Sequence, residues 1–474
     1  MYFKFPVYFV ASSAVGGHEE MSSPYASWFD FFHNRDTFGE DTYEKAESEL
    51  SRIALNFLFN KAGLEPHALS LLISGDLQNQ CVASSYGLYT FGVPYLPLYG
   101  ACSTCTEGLL VGALYLQAVS ASDDEKNARR TNGACDTPCV THGIGIFTQA
   151  DDEAVKVENA GACVDFRKGN TNDISLQTDD EAVEAENADA CVDFCKRSSS
   201  DISFQTENES TKEKTAVVSD VICTSTSYEG ITRDSAPDAS ESFIEVEASP
   251  ACFNRPHYVG VVTTSHNSVA ERQFRTPLEY GAERTPTAQW TATAGGAFLL
   301  TESRDTPYRL PTPYAVRIVW GRAGKVIDGA TSDASNMGAA MAPAARDSIR
   351  HFFQSTHFTL SDLDAIVTGD LGEVGSALLL DLLREDGLDI ASLHRDCGLC
   401  LYDRETQDMH AGASGCGCSA SLLSAMVLPR MMSGEWQRVL FLSTGALMSP
   451  SSILQGISIL GIAPAVLLES EKIL

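Results

Sequence analysis

The chain has 474 residues, of which 44% are hydrophobic and 20% charged, a composition typical of globular proteins with a sizeable core. Asp and Glu number 63 against 33 Lys and Arg, a formal net charge of −30. This excess of acid argues against nucleic acid as a partner, because phosphate binding needs clustered cations. The 14 cysteines are too sparse for a disulfide-stapled scaffold, and free thiols fit a reducing, cytosolic compartment.

The chain begins with a short apolar run, residues 1–11, that Pro6 interrupts. We interpret this run as a first β-strand rather than a signal peptide. Two uncharged tracts, residues 77–106 and 439–468, are each broken by Pro, Ser and Gly. Neither tract predicts a membrane-spanning helix, and we expect both to form buried strands and turns of a large core.

An acidic insertion follows the first helices. Residues 121–250 carry 28 acidic against 11 basic residues, a net charge of −17, and Asp-Asp-Glu recurs every 28 residues within them. Each repeat has few apolar residues, so we predict a mostly disordered, tandemly duplicated insertion, with an ordered repeat array as the alternative. Cys191 and Cys195 have the spacing of metal ligands on one helix face, although free thiols in a loop are the simpler interpretation.

Outside this insertion the chain repeats itself. Residues 68–77 resemble 363–371, and both runs end in Gly-Asp-Leu after a segment of helical periodicity. Residues 99–105 likewise resemble 413–419, and 258–264 resemble 438–444. Apolar runs that alternate with helices predict a mainly parallel α/β fold, and the repeat predicts two similar βαβ-rich halves about a pseudo-dyad. We assign residues 1–120 with 251–312 to the first half and 313–474 to the second.

Cys102 lies at a predicted junction between a strand and a helix. The free N–H groups of that helix would favour a thiolate and could hold an oxyanion, as an acyl-accepting nucleophile requires, and we expect Gly100 to let the backbone turn. Three alternatives remain open. Cys102 could be a buried packing residue, form a redox dithiol with Cys105, or form a zinc site with Cys105, Cys397 and Cys400.

Six short motifs, taken together in their order and spacing, are distinctive. They lie at residues 100–104, 264–267, 270–275, 340–344, 368–371 and 415–419. In these motifs the chain resembles the stage V sporulation protein AD family of the thiolase-like superfamily, over residues 4–120 and 253–470. The resemblance implies a thiolase-like fold in αβαβα layers, a homodimer and no cofactor. It also implies binding of dipicolinic acid (pyridine-2,6-dicarboxylic acid) and assistance in its uptake into the forespore. Such a protein would be cytoplasmic, peripheral on the forespore inner membrane, and would act with membrane proteins of the same sporulation operon.

The chain departs from the condensing enzymes of that superfamily, which pair the nucleophilic cysteine with a histidine of the second half. The matching strand end here carries Asp370, and the glycine-rich turn 443–447 has no cysteine. A carboxylate beside a thiolate is unfavourable because like charges repel, so we expect a binding pocket rather than an active enzyme. An acyltransferase using Cys102 with His266 as the base is the alternative, and a structural scaffold for membrane partners is a third possibility.

A flat dianion such as dipicolinate needs cationic or N–H donors on apolar walls. Arg272 and Arg275 would share a helix face, or they form surface ion pairs. The helix starts after the two cysteine turns could supply amides for a carboxylate. Asp76 and Asp370, which the repeat relates, cap turns or meet calcium if the ligand arrives as its calcium chelate. His266 binds a carboxylate or is structural. The candidate site residues are Cys102, His266, Arg272, Arg275, Asp76, Asp370 and Cys416, and we predict no resident metal.

Overall fold

The main sheet has eleven strands: two sets of five, one set from each half of the chain, and a short strand, Phe31–Phe32, that pairs with the first strand. The computed structural model describes residues 1–132, 144–148, 155–158, 174–177, 243–244, 257–274, 284–308 and 311–473. The first set consists of β1 (Tyr2–Gly16), β2 (Leu71–Gly75), β3 (Tyr95–Pro97), β4 (Tyr258–Ser265) and β5 (Ala294–Thr301). The second set consists of β6 (Tyr314–Arg322), β7 (Ala365–Thr368), β8 (His394–Asp396), β9 (Arg438–Leu442) and β10 (Ala465–Lys472).

The two sets have the same strand order. The first set runs β3-β2-β4-β5-β1 and the second runs β8-β7-β9-β10-β6, so that both follow the order third, second, fourth, fifth, first. In each set the fifth strand is antiparallel to both neighbours and the other pairings are parallel. The sheet is therefore mixed rather than mainly parallel. The fifth strand is antiparallel because the chain returns to the sheet at the end where the fourth strand finishes. In the first set, β5 begins opposite the last residue of β4.

Seven main helices accompany these strands. They are α1 (Tyr43–Ala62), α2 (Val82–Leu88), α3 (Thr104–Asn132), α4 (Asn267–Phe274), α5 (Met337–Ser355), α6 (Gly372–Glu385) and α7 (Cys416–Leu422). Helix α7 continues through a π-helical segment, Leu423–Val427, into a last turn, Leu428–Ser433. Helix α1 begins at the N-cap Thr42, whose side chain accepts a hydrogen bond from the Lys45 N–H, and ends at the left-handed Gly63, a conformation that glycine adopts without strain.

Three apolar cores arrange these elements in layers. The central core contains side chains of α3 and α7 together with one face of each strand set. One outer core packs α1 on the first set, and the other packs α5 and α6 on the second. Strand β9 illustrates the alternation that period-2 geometry requires: Phe441 enters the central core, and Leu440 and Leu442 enter the outer one. The result is the layered thiolase-like arrangement of two similar halves that the resemblance implied.

The chain divides into two compact units, Met1–Ala128 with Pro256–Leu474, and Arg129–Arg255. The second unit contains the short paired strands Ile144–Thr148, Val155–Glu158, Ile174–Gln177 and Phe243–Ile244. The disorder predicted for the rest of the insertion concerns residues outside those described, as do Cys191 and Cys195, and the domain boundaries drawn from the sequence stay predictions. Within the described ranges, no helix has the length and hydropathy needed to cross a bilayer.

Candidate functional site

The turn before helix α3 presents Cys102. Ala101 has φ +51°, a left-handed conformation that costs a residue with a Cβ about 1–2 kcal/mol. Gly100, which we expected to let the backbone turn, has no positive φ, and a Cβ there would meet the carboxylate end of the Glu107 side chain. The strain is thus stored at Ala101, directly beside the thiol, as at the strained turns that hold nucleophiles or ligands in other proteins.

The Cys102 thiol lies beside the carboxyl group of Asp370, close enough for that carboxyl to raise the pKa of the thiol. Asp370 follows strand β7, and its Oδ1 accepts a hydrogen bond of 2.7 Å from the Thr444 hydroxyl. Its Oδ2 accepts one of 2.9 Å from the Gly415 N–H. The site therefore joins the two halves of the fold. Cys102 comes from the first half, whereas Asp370, Gly415 and Thr444 come from three separate turns of the second.

Both members of this pair favour their neutral forms. Burial raises the pKa of the Cys102 thiol well above its usual range, and the neighbouring Asp370 carboxyl raises it further. Burial also raises the pKa of Asp370, to about 7, although the hydrogen bonds from Thr444 and Gly415 and the neighbouring Cys102 thiol oppose the rise. Our expectation that the helix start would favour a thiolate at Cys102 is therefore wrong, because desolvation and a second acid outweigh the helix amides.

Cys102 lines a pocket that is partly open to solvent, with about 30 Å³ accessible to the centre of a water molecule. The walls are mainly apolar, and none of the described residues that form them is charged. They comprise Leu77, Ala101, Cys102, Ala270, Phe274, Thr291, Met337, Ser414, Ala446 and Met448. Apolar walls with a few polar groups are typical of small-molecule sites. The hydroxyls of Thr291 and Ser414 are the polar side-chain groups of this wall, beside the Cys102 thiol.

His266 is fully buried at the end of strand β4 and is not among the residues that line the cavity. Its Nε2 lies 2.6 Å from the backbone carbonyl oxygen of Asp36, so Nε2 carries the proton and donates. The imidazole packs beside the ring of Tyr43, with 5.4 Å between centroids. Burial lowers the pKa of His266. The imidazole of His266 is therefore neutral and bonded to the Asp36 carbonyl. It does not reach the cavity that Cys102 lines.

The arginines expected to bind a carboxylate are not part of the described cavity wall. Arg272 is 68% exposed, and its Nη1 forms an ion pair of 2.9 Å with Glu44 Oε1. This is the surface-pair alternative stated above for Arg272. Arg275 lies outside the described residues, although the residue before it, Phe274, lines the cavity.

Asp76 and Cys416 are buried but are not among the lining residues. The Asp76 carboxylate accepts hydrogen bonds from the Gln78 N–H at 2.8 Å and from the Ser84 N–H at 2.7 Å, so it fixes the turn that starts helix α2. The Cys416 thiol donates to the Thr264 carbonyl at 3.0 Å, and it packs in one small apolar cluster with Cys102. These two residues support the cavity from behind rather than facing a ligand.

Among the described residues, no group of three or more His, Cys, Asp or Glu side chains could hold a metal ion. Cys102, Cys105, Cys397 and Cys400 are free thiols, and Cys105 packs in the central core. The zinc interpretation of these four cysteines and the calcium interpretation of Asp76 with Asp370 therefore lack a site in this part of the chain.

The sequence analysis missed three residues of the site: Thr444, which bonds Asp370, and two methionines that line the cavity. Thr444 lies in the turn we noted only for its missing cysteine, yet its hydroxyl bonds Asp370. Met337 and Met448 form the wall, and nothing in their local sequence distinguishes them from core methionines. The signal available for Thr444 was a polar residue in the glycine-rich turn that directly follows a buried strand.

The fold and the cavity define a duplicated mixed α/β protein of the thiolase-like class, with a cysteine at a strained strand-to-helix turn. A family model described as stage V sporulation protein AD (SpoVAD) matches residues 1–129 and 246–469. The chain belongs to this family of sporulation proteins. It is similar to stage V sporulation protein AD of Bacillus subtilis (strain 168), with 27% identity over 467 residues that cover 98% of this chain and 95% of the relative.

Solved structures with similarity to the chain include OleA of Xanthomonas campestris with a bound cerulenin, at 11% identity and a TM-score of 0.46, covering 99% of this chain and 98% of that one. The acyltransferase ChlB3 has 12% identity and a TM-score of 0.41, with 98% of each chain covered.

Proposed function

We propose that this sporulation protein binds dipicolinate in the cavity beside Cys102, assists its uptake into the forespore, and does not catalyse acyl transfer. The observation that carries the proposal is the contact between the Cys102 thiol and the Asp370 carboxyl. Thiol chemistry needs the thiolate, and a carboxyl partner opposes that charge where an imidazole would promote it. A cavity beside an unreactive thiol is better suited to binding than to catalysis.

The cavity wall matches a small, flat, aromatic ligand. The Phe274 ring and the aliphatic side chains beside it offer apolar contact to a pyridine ring. The hydroxyls of Thr291 and Ser414, which line the pocket, offer donors to carboxylate oxygens. Arg275, which follows Phe274 in the chain, is the remaining candidate for a cationic contact.

Calorimetry with purified protein tests this proposal. We expect dipicolinate to bind with a stoichiometry of one, and isophthalate, which lacks the ring nitrogen, to serve as the matched ligand. Cys102→Trp fills the cavity and should abolish binding, whereas Val326→Trp adds the same side chain at an exposed position and should not. Absence of heat and of thermal stabilisation at millimolar dipicolinate would refute the proposal.

One observation favours the alternative, an acyltransferase. The left-handed Ala101 resembles the strained turns that project nucleophiles in acyl-transfer enzymes. Intact mass spectrometry after incubation with acyl-CoA thioesters decides between the two functions. A stable adduct on Cys102, absent from Cys102→Ser, would favour catalysis; we expect no adduct.

We also propose that the protein is a homodimer. Strand β3 ends the strand order, and among the described residues no strand pairs with its outer edge. In the segment that precedes β3 in the chain, Tyr86 and Tyr89 are 71% and 73% exposed. An unpaired edge is a ready surface for a second copy, and exposed aromatic residues favour contact with a partner.

Finally, we propose that the protein acts in the cytoplasm on the forespore inner membrane, with membrane proteins of the same operon. Residues 439–468 contain no charged side chain, and within them Leu454 is 77% exposed with Ile457 and Leu460 also at the surface. An uncharged apolar patch on so acidic a chain favours an apolar partner. Flotation with forespore membranes tests this, and Leu454→Asp with Ile457→Asp should lower the bound fraction.

A further inference from the structure

The carboxyl group of Asp370 has no cationic neighbour among the groups that face it in the described chain. Its hydrogen-bond donors, the Thr444 hydroxyl and the Gly415 N–H, are neutral, and so is the neighbouring Cys102 thiol. The titratable groups that face it are all acids, namely Cys102 at the start of α3, Asp396 after β8, Cys397 in the short helix Cys397–Cys400, and Cys418 in α7.

We propose that Asp370 couples ligand binding to proton uptake: the cavity accepts the dicarboxylate dianion only with the Asp370 carboxyl protonated, so that each binding event takes up one proton. This inference rests on the proposed function, since it concerns the same cavity and the same ligand. It assigns Asp370 the role of a charge-controlling residue behind the Cys102 side chain.

The argument is electrostatic. A dianion in the cavity would lie close to Asp370, because Cys102 lines the wall beside this carboxyl and Asp370 Oδ2 accepts from the N–H of Gly415, which follows the lining residue Ser414. An ionised Asp370 would add a third negative charge to a buried region whose described lining residues carry no positive one, and such an arrangement is strongly unfavourable at low dielectric. Protonation removes this charge and lets Asp370 keep both acceptor bonds.

The energetic cost of that proton is small near neutral pH. Burial raises the pKa of Asp370 to about 7, so the free protein already holds the proton in about half of its molecules at that pH. An arriving dianion raises this pKa further and drives uptake. Above pH 7 the proton must come from solvent, and the affinity falls with rising pH.

Two other carboxyl groups lie near the cavity and must be separated from Asp370. Burial raises the pKa of both Asp76 and Glu47. Asp76 is held by backbone donors at the α2 turn. Glu47 Oε2 accepts from Gln78 Nε2 at 2.9 Å, and its Oε1 has no partner. Asp370, and neither of these two residues, is the acid that raises the pKa of Cys102, so we assign the coupled proton to Asp370.

The test is calorimetry of dipicolinate with the full-length protein in EDTA, from pH 6 to pH 9, in two buffers of different ionisation enthalpy. Both ligand carboxyls are ionised throughout this range, so any proton taken up belongs to the protein. We expect uptake of one proton at pH 8 and a Kd that rises about tenfold per pH unit between pH 8 and 9. A Kd independent of pH without proton uptake would overturn the inference and leave the proposed function intact. No binding at any pH would overturn both.

Asp370→Asn is the decisive variant. It should bind with the same Kd at pH 6 and at pH 9, with no proton uptake. Glu20→Gln is the matched control, because burial also raises the pKa of Glu20 to about 7, while its carboxyl accepts from the Thr293 N–H and neither residue lines the cavity. This control should keep the pH dependence of the wild-type protein. Proton uptake that persists in Asp370→Asn would overturn the assignment and point to Glu47 or Asp76.

Discussion

Replacing Asp370 with asparagine should make the Cys102 thiol more reactive, which is the opposite of what loss of a catalytic partner would do. The Asp370 carboxyl contacts the thiol and raises its pKa. Above pH 8 most Asp370 side chains are ionised, because the pKa of this group is about 7. Asparagine keeps the size of the side chain and one acceptor oxygen but removes the charge.

The size of the effect follows from the contact. Two unit charges at about 4 Å oppose each other by about 4 kcal/mol at an effective dielectric constant near 20, which corresponds to about 3 pH units of pKa. Burial, the larger cause, is unchanged in the variant, and relaxation weakens the charge effect. We therefore expect the rate of Cys102 alkylation at pH 8.5 to rise at least about tenfold, toward a limit of about a thousandfold.

The assay is a time course with iodoacetamide, followed by peptide mapping of the Cys102 peptide. Cys400 serves as the internal control, because it is a partly exposed free thiol whose neighbouring acid is Asp396 rather than Asp370. Its rate should be equal in the two proteins. An unchanged or slower rate at Cys102, with Cys400 unaffected, would refute the electrostatic account of the site.

Three other predictions concern the fold and the assembly. A deletion that joins Ala128 to Pro256, the borders of the first compact unit, should keep the melting temperature and the dipicolinate affinity; loss of either would show that the removed segment supports the core. Gly417→Ala places a Cβ 2.0 Å from the Ala294 carbonyl oxygen and should lower the free energy of unfolding, measured by urea titration, by about 3 kcal/mol. Gly456→Ala, at a position with φ +65° and open space, should lower the same free energy by only about 1 kcal/mol. Leu96→Asp on the open edge of β3 should convert a dimer to a monomer in sedimentation velocity, and a wild-type monomer would contradict the proposed dimer.

The sequence by itself determined the class of fold and the family. Two apolar runs that end in Gly-Asp-Leu became β2 and β7, which are the second strands of their halves. Such patterns are local, because a strand buried on both faces needs a continuous apolar run whatever surrounds it. The cysteine turn was visible for the same reason, since a strand and a helix flank it in the chain.

Only the tertiary structure decided which side chains meet. Cys102 and Asp370 lie in different halves, and their contact depends on how the layers pack. His266, although adjacent to the correct strand end, turns to the Asp36 carbonyl, and Arg272 pairs with Glu44 at the surface. The sign of the pKa shift at Cys102 was likewise hidden, because helix amides are local and readable, whereas burial and a distant carboxyl arise only when the chain has folded.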